Sequence, residues 1–179
     1  MFLKKFIKYI SFLLILISIL ILVLLKINHK FDKEKHLNLI NKSINVKTSY
    51  TSIPYIEIPS INITRVIKED DSQDILDDGY VVIFNDNKDL YSINNLILAG
   101  HNTVNIFKNL KKIKLNDFIY IRYKNTKFTY KVNSKKIINV KETSYLDETQ
   151  YKNISLITCT NDDQKRFLVL GSLYKKEIL

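Results

Sequence analysis

Short runs of alternating apolar and polar residues follow one another through most of this chain, and they favour an all-β architecture. Residues 53–59 and 61–67 show the period of two that is typical of half-buried β-strands. Further strand-like runs follow at short intervals, at residues 80–84, 96–99, 118–123, 128–133, 137–140, 154–159 and 166–173. Many short strands with little helix between them predict a closed β-barrel or a sandwich.

One stretch between the predicted strands has a different spacing. Residues 104–112 carry apolar side chains at the interval of an α-helix. Asn102 or Thr103 would supply the side-chain oxygen that caps the first free N–H groups of such a helix. We therefore predict a short helix over residues 104–112.

The N-terminus carries an apolar run that is long enough to cross a membrane. Residues 9–25 contain no charge, and at about 1.5 Å per residue they span roughly 25 Å. Residues 24–27 lack the small side chains of a signal-peptide cleavage site. We therefore expect an uncleaved transmembrane signal anchor at 9–25, with a basic cytoplasmic tail at 1–8.

The segment after the apolar run is polar and is expected to form a stalk outside the cytoplasm. Lysines crowd this side of the run too, so the positive-inside rule supports the single-pass orientation only weakly. We assign residues 26–52 to the stalk, which has helical potential and would hold the domain off the membrane. Residues 53–179 then form the folded domain, with enough chain for one core.

The charge is positive but does not indicate a nucleic-acid partner. The chain has a net charge of +10, and residues 1–30 account for five of the lysines with no acid. The remaining excess is too modest to indicate nucleic-acid binding by itself. Within it, residues 108–136 hold ten basic residues and one acid. This stretch is either a solvated surface or one that meets anionic wall polymers or lipid headgroups.

Cys159 is the only cysteine, so the exported domain has no internal disulfide. A lone cysteine is either a small buried apolar side chain or a reactive thiol. His101 is the only histidine outside the predicted stalk, and it follows one predicted strand while Cys159 ends another. Strand ends at one rim of a barrel can meet, and a thiolate nucleophile needs a proton-transfer partner such as histidine.

Arg166 follows Cys159 by seven residues and opens the next predicted strand. A hairpin between these strands would place the guanidinium beside the thiol. The planar fork of arginine can hold a carbonyl oxygen or a substrate backbone, and acyl transfer needs donors that face the developing oxyanion. The ordinary alternative for a single arginine is a surface charge.

Several motifs, taken in order and spacing, resemble the sortases. They are Leu98-Ala-Gly-His101-Asn, Phe107-Lys-Asn-Leu110, Asn116-Asp117, Tyr130-Lys-Val132 and Ser155-Leu-Ile-Thr-Cys159, followed by Arg166-Phe-Leu-Val. The resemblance extends over residues 53–173. It implies an eight-stranded sortase-type closed barrel behind a transmembrane helix, in the membrane of a Gram-positive cell.

The resemblance also implies a cysteine transpeptidase. Such an enzyme cleaves a C-terminal sorting signal of the Leu-Pro-x-Thr-Gly type on surface proteins, forms a thioester, and passes the protein to an amine of a cell-wall precursor. Cys159 would be the nucleophile, His101 the general acid and base, and Arg166 the oxyanion or substrate-orienting residue. The substrate-binding residues would be Thr158, Ala99 and Gly100.

The chain departs from the usual sortase pattern at two places. Asn116 replaces the glycine of the family's usual Gly-Asp turn, which asparagine can support at modest cost. The loop at residues 141–152 is short and lacks the long helix of class B sortases, so we favour a class A-, D- or E-like member.

No cofactor is expected from the sequence. Some class A enzymes bind calcium in the loops that here carry acidic residues, namely Asp86 and Asp89 with Asp147 or Glu148. Acidic loop residues are more often simply solvated, so we expect a protein without a bound metal and keep calcium as the alternative.

Three other functions remain open on the sequence. Water instead of an amine would make the protein a hydrolytic cysteine peptidase, and a pilin lysine as acceptor would make it a pilus polymerase. A membrane-tethered, noncatalytic module could instead bind wall polymer through residues 108–136, and it would need neither Cys159 nor His101.

Overall fold

The structure is a computed structural model, and it describes residues 2–45, 50–86, 89–104, 106–162 and 164–179. A long helix, α1 (Phe2–Ser43), precedes the strands, and a short helix, α2 (Gln73–Asp77), lies between the third and fourth of them. The described residues contain nine strands: β1 (Ile44–Asn45), β2 (Tyr50–Ile58), β3 (Ile63–Lys68), β4 (Val81–Ile83), β5 (Asn95–Ala99), β6 (Phe118–Lys124), β7 (Thr126–Asn139), β8 (Asn153–Cys159) and β9 (Lys165–Ile178).

Strands β2 to β9 close into the predicted eight-stranded barrel. They are hydrogen-bonded in the order β2-β3-β4-β5-β8-β9-β7-β6, and β6 pairs back onto β2. The two-residue strand β1 is an extra edge on β2. Closure leaves no long unpaired edge among these strands, which protects a β-protein from pairing with other chains. The predicted eight-stranded closed barrel is therefore confirmed.

The barrel interior is filled by the apolar residues of the alternating runs. Alternate side chains of a strand point to opposite faces, so every second residue of a strand faces the interior. The interior contains fully buried side chains from most strands, among them Ile56, Val81, Leu98, Ile121, Phe128 and Val169. Burial of each such side chain contributes about 1.5–3 kcal/mol. Packing thus holds the domain together without a disulfide.

Helix α1 has two parts with different surroundings. Its first part carries exposed apolar side chains, and it is the one helix among the described residues that is long and apolar enough to cross a membrane. The polar residues after Leu25 continue the same helix as far as Ser43. There Ile40 packs with Tyr55, Val66 and Tyr80, so the end of the helix lies against the barrel.

A buried polar cluster lies between α1 and β3. His36 is fully buried, and its Nδ1 accepts a hydrogen bond from the Val66 N–H at 3.4 Å. Arg65 is 3% exposed, and its Nη2 donates to Asp32 Oδ2 at 3.1 Å. His36 Nε2 has no hydrogen-bond partner among the described residues and lies 3.9 Å from Asp32 Oδ1. A buried polar atom without a partner costs about 1–3 kcal/mol, so this interface is held by packing.

Two local expectations differ from the structure. The helix predicted over residues 104–112 is wrong: a 3₁₀ helix covers only Lys108–Lys112, and turns precede it. Ile106 and Phe107 are both buried beneath Gly100, where an added Cβ would approach their side chains to 2.9 Å. The N–H groups of Leu110 and Ile113 donate to carbonyls three residues back, those of Phe107 and Leu110, which is the spacing of a 3₁₀ helix. The two runs predicted at 128–133 and 137–140 form one strand, β7, with an irregularity between Val132 and Ser134.

Lowering the pH should loosen the packing of α1 on the barrel. Burial, helped by the nearby Arg65 and Lys35, lowers the pKa of His36 to about 4, against the opposing effect of Asp32. The unpacked histidine has a pKa near 6.5, so it binds more protons than the packed one. The stability that neutral His36 provides is present above about pH 6.5 and falls by roughly 2 kcal/mol by pH 5.

Hydrogen exchange at the Val66 amide of the full chain measures this loss. In the His36→Leu variant, the protection of this amide should depend less on pH than in the wild type, because leucine does not titrate. An equally steep dependence in the leucine variant would show that another group is responsible.

Candidate active site

The parallel pairing of β5 with β8 brings His101 and Cys159 to one rim of the barrel. The strands are in register from Asn95 opposite Asn153 to Ala99 opposite Ile157. The Gly100 N–H still donates to the Ile157 carbonyl at 3.2 Å, so the pairing extends past the end of β5. Cys159 is the last residue of β8, and His101 follows the end of β5 by two residues, so both lie at this rim.

Arg166 lies on the other side of Cys159. Strands β8 and β9 are antiparallel, and Cys159 is directly paired with Arg166. The hairpin expected from the sequence is present, with the Thr160 N–H donating to the Lys165 carbonyl at 3.4 Å. The structure therefore places His101, Cys159 and Arg166 on three neighbouring strand ends.

The thiol of Cys159 is open to solvent. The side chain is exposed and borders a groove of about 420 Å³ that also contacts Thr158, Phe107 and Phe167. Neither His101 nor Arg166 belongs to the wall of this groove. Thr158 is buried, and its Oγ1 has no hydrogen-bond partner among the described residues. Gly100 is buried as well, whereas Ala99 is partly exposed.

Two residues that the sequence did not single out contact His101. His101 Nε2 lies 2.9 Å from Asp77 Oδ1 and 3.3 Å from Gln73 Nε2, both on α2. Gln73 Nε2 also donates to Asp77 Oδ1 at 2.8 Å. The hydrogen bonds that Gln73 and His101 make to Asp77 lower the pKa of its carboxyl. Gln73 and Asp77 have the four-residue spacing of one helix face, but nothing in the sequence places that face against His101.

A third missed residue, Asn95, holds the loop between β7 and β8. Its Nδ2 donates to the carbonyls of Tyr145 and Asp147 at 2.7 and 3.0 Å, and its Oδ1 accepts from Ser155 Oγ at 3.1 Å. Tyr145 in turn packs in a small apolar cluster with Ala99, Ile138, Ile157 and Leu168. The loop is thereby fixed beside β5, of which Asn95 is the first residue.

Arg166 and Tyr145 are electrostatic neighbours. Burial raises the pKa of the Tyr145 hydroxyl, and the positive charge of Arg166 partly offsets this rise. Arg166 Nη1 also donates to the Lys165 carbonyl at 3.0 Å. The guanidinium thus lies between the Cys159 strand and the loop that Asn95 holds.

The acidic loops do not form a metal site in the part of the chain that the structure describes. No group of three or more His, Cys, Asp or Glu side chains is arranged there to hold an ion. Asp86 and Glu148 border a separate cavity of about 650 Å³, which Asp89 and Asp147 do not line. Residues 87–88 of this loop lie outside the described residues. The structure thus gives no support to the calcium alternative.

Comparison with known proteins gives a consistent match. A family model described as the Sortase domain matches residues 56–174. Sortase A of Listeria monocytogenes serovar 1/2a (strain ATCC BAA-679 / EGD-e) is 36% identical over 90 residues, which cover 48% of this chain and 40% of that protein. The match thus spans less than half the length of that curated relative.

Solved structures give the same result. Sortase A of Listeria monocytogenes has a TM-score of 0.64 at 27% identity, over 72% of this chain and 90% of that one. Sortase C-1 of Actinomyces oris has a TM-score of 0.62 at 26% identity, over 68% and 73% of the two chains. Sortase E1 of Streptomyces coelicolor, at 23% identity, has a TM-score of 0.64 over 71% and 90% of the two chains and shows the shared fold.

Replacing Asn95 should free the loop between β7 and β8. Asn95→Leu keeps the branched shape of the side chain but leaves the Tyr145 and Asp147 carbonyls without their donor, at about 1–3 kcal/mol. Hydrogen exchange at Leu146, whose N–H donates to Thr143, should therefore become about tenfold faster or more. The neighbouring exposed Asn94 is a matched control, and Asn94→Leu should leave the rate unchanged. Equal exchange in both variants would mean that other contacts hold the loop.

Proposed function

Since the chain belongs to the sortase family, whose members are cysteine transpeptidases, we propose that it cleaves a C-terminal sorting signal and transfers the severed protein to an amine. The signal is of the Leu-Pro-x-Thr-Gly type, carried by surface proteins. The observation that carries this proposal is the alignment of His101, Cys159 and Arg166 on the ends of three neighbouring strands, with the thiol exposed.

Cys159 is the nucleophile in this proposal. Its sulfur, as the thiolate, attacks the carbonyl carbon of the signal's threonine and forms a tetrahedral oxyanion. When this intermediate collapses, the C–N bond to the following residue breaks, and a C–S thioester bond remains. His101 gives its proton to the leaving amine. In the second half, an acceptor amine loses a proton to His101 and displaces the thiolate.

Asp77 selects the nitrogen of His101 that takes part. The carboxylate lies 2.9 Å from Nε2, so it accepts a hydrogen bond from the N–H at Nε2. In the neutral ring the other nitrogen, Nδ1, is then the proton acceptor, because the hydrogen bond at one nitrogen fixes the tautomer. Asp77 thus acts as a positioning residue for the imidazole.

Arg166 is placed to bind the oxyanion or the backbone of the signal. It is paired with Cys159 and is near Tyr145 of the loop that Asn95 holds. Ala99 borders the same apolar cluster, so the substrate contacts Ala99 and this loop on one side of the thiol. Gly100 and Thr158 are buried and shape the floor of the site.

The partners and the location follow from the same proposal. The apolar part of α1 anchors the chain in the membrane once, and the barrel lies outside the cytoplasm. The acceptor is an amine of a cell-wall precursor, with a pilin lysine as the alternative. The loop between β7 and β8 contains only the 3₁₀ helix Ser144–Leu146, which supports a class A-, D- or E-like member rather than class B.

Transpeptidation is separated from its alternatives by one reaction. The full chain in detergent receives a labelled signal peptide with and without an added amine. We expect ligated product only when the amine is present. We expect no cleavage by the Cys159→Ala variant. Free peptide acid as the sole product at saturating amine would identify a hydrolytic peptidase. Cleavage-free binding to wall polymer would identify the noncatalytic module.

Arg166→Lys should slow thioester formation although the charge is kept. Lysine lacks the planar pair of donors, and loss of one oxyanion donor typically costs a factor of about 10²–10³ in rate. We expect at least about a tenfold loss for Arg166→Lys and a larger one for Arg166→Ala. Intact-mass measurement of the acylated chain gives the rate.

Arg122 provides the matched control for this change. It is paired with Glu57 on the outside of β6, away from the strand ends of the site. Arg122→Lys should acylate at the wild-type rate, and circular dichroism should show an unchanged fold in both variants. Wild-type acylation by Arg166→Lys would reduce Arg166 to a surface charge and leave the oxyanion to backbone N–H groups.

A further inference from the structure

Contacts at both ends of β2 define which end of the barrel is closer to the apolar part of α1. Ser43 Oγ, near the end of the helix, lies 2.9 Å from Thr51 Oγ1 at the start of β2. Lys33 Nζ, ten residues nearer the apolar part, donates to Asn62 Oδ1 at 2.9 Å, just after β2 ends. The turn between β2 and β3 therefore lies at the membrane-proximal end.

The pairing of the other strands places the candidate active site at that same end. β3 begins at the proximal end, β4 is parallel to it, and β5 is antiparallel to β4, so β5 ends proximally. β8 is parallel to β5 and also ends there, and β9 begins there. His101, Cys159 and Arg166 thus occupy the membrane-proximal rim of the barrel.

The distance from this rim to the bilayer is short. From Leu25, where the uncharged run ends, to Lys33 is eight residues of continuous helix, or about 12 Å. The headgroup layer on one side of a bilayer fills roughly 5–8 Å of this distance. The remaining gap is within the reach of an extended lysine side chain.

The connection from β5 to β6 supplies such lysines at the rim. We call residues 106–115 the basic lip. It carries exposed Lys108, Lys111, Lys112 and Lys114 together with exposed Leu115, and the sequence of the lip contains no acid. The 3₁₀ helix of the lip, Lys108–Lys112, lies in contact with the 3₁₀ helix Pro59–Ile61 of the proximal turn, which fixes the lip to this end of the barrel.

We propose that the basic lip binds the anionic phospholipid headgroups of the membrane that α1 spans, so that the catalytic rim lies against the membrane surface. Each lysine near such a surface favours docking by roughly fivefold, and the attraction extends about 8–10 Å in physiological salt. Leu115 and Val104 can enter the headgroup region beside the lysines. The signal peptide then reaches Cys159 along the membrane surface. The proposal rests on the proposed function only through the membrane anchor.

The test uses the full chain in lipid nanodiscs. A donor dye on Cys159, the only thiol, reports its distance from acceptor dyes on the lipid headgroups by energy transfer. Transfer should be stronger in discs with about 30% phosphatidylglycerol than in neutral phosphatidylcholine discs, and the difference should shrink in about 0.5 M salt. Changing Lys108, Lys111, Lys112 and Lys114 together to Gln should reduce transfer in anionic discs to the neutral value.

The matched control removes the same charge at the opposite end of the barrel, where Lys124, Lys127, Lys175 and Lys176 lie. Changing these four to Gln should leave the transfer unchanged. Equal transfer in neutral and anionic discs, or an equal loss in the control variant, would overturn the proposal. Loss of binding to isolated wall polymer by the lip variant, without a change in transfer, would overturn it in favour of wall contact.

Incorporation of the full chain into the discs is checked separately by co-elution with lipid. Failure at that step would contradict the anchor in the proposed function. Incorporation without a lipid-dependent distance would contradict the basic lip alone.

Discussion

The parallel pairing of β5 with β8 is the constraint on which the candidate site depends. It joins segments that are 58 residues apart in sequence, and it brings His101 and Cys159 to the same rim of the barrel. A slip of one residue would turn Cys159 to the opposite face of the sheet. Both faces of these strands are buried, with Leu98 and Leu156 in the barrel interior and Ile157 in a second cluster, so a slip would put each side chain into a space packed around a different one. Core packing therefore sets the geometry of the chemistry.

The site is linked to the membrane helix by the segment between β3 and β4. Asp77 at the end of α2 contacts His101, and Gly79, two residues later, lies against α1. Gly79 has a φ of 88°, and a Cβ there would come within 3.4 Å of Asp32 Oδ1. A side chain there would strain the backbone, because this φ is rarely adopted by residues other than glycine. The position of Asp77 depends on how α1 packs, so the anchor helix supports the site as well as tethering it.

The sequence predicted the strands, and it singled out the three candidate site residues, because both kinds of signal are local. Alternation marks the half-buried strands, and a lone cysteine with one domain histidine leaves few choices. Asn116 has a φ of 71°, as expected where it replaces a glycine. The contacts of Asp77 and Asn95 depend on which segments pack together, and the spacing of residues along the sequence does not indicate this packing. His36 was assigned to a solvated stalk for the same reason, yet it is buried against β3.

The adjacency of the thiol and the imidazole can be measured directly in solution. A ¹³C-methyl group is placed on the Cys159 sulfur of the full chain, and its nuclear Overhauser contacts with the His101 ring, assigned by their absence from His101→Gln, are recorded. Neighbouring strands of a sheet lie about 4.8 Å apart, so side chains at two adjacent strand ends should give a direct contact. No contact between the methyl group and the ring would show that the strand ends do not bring the two groups together.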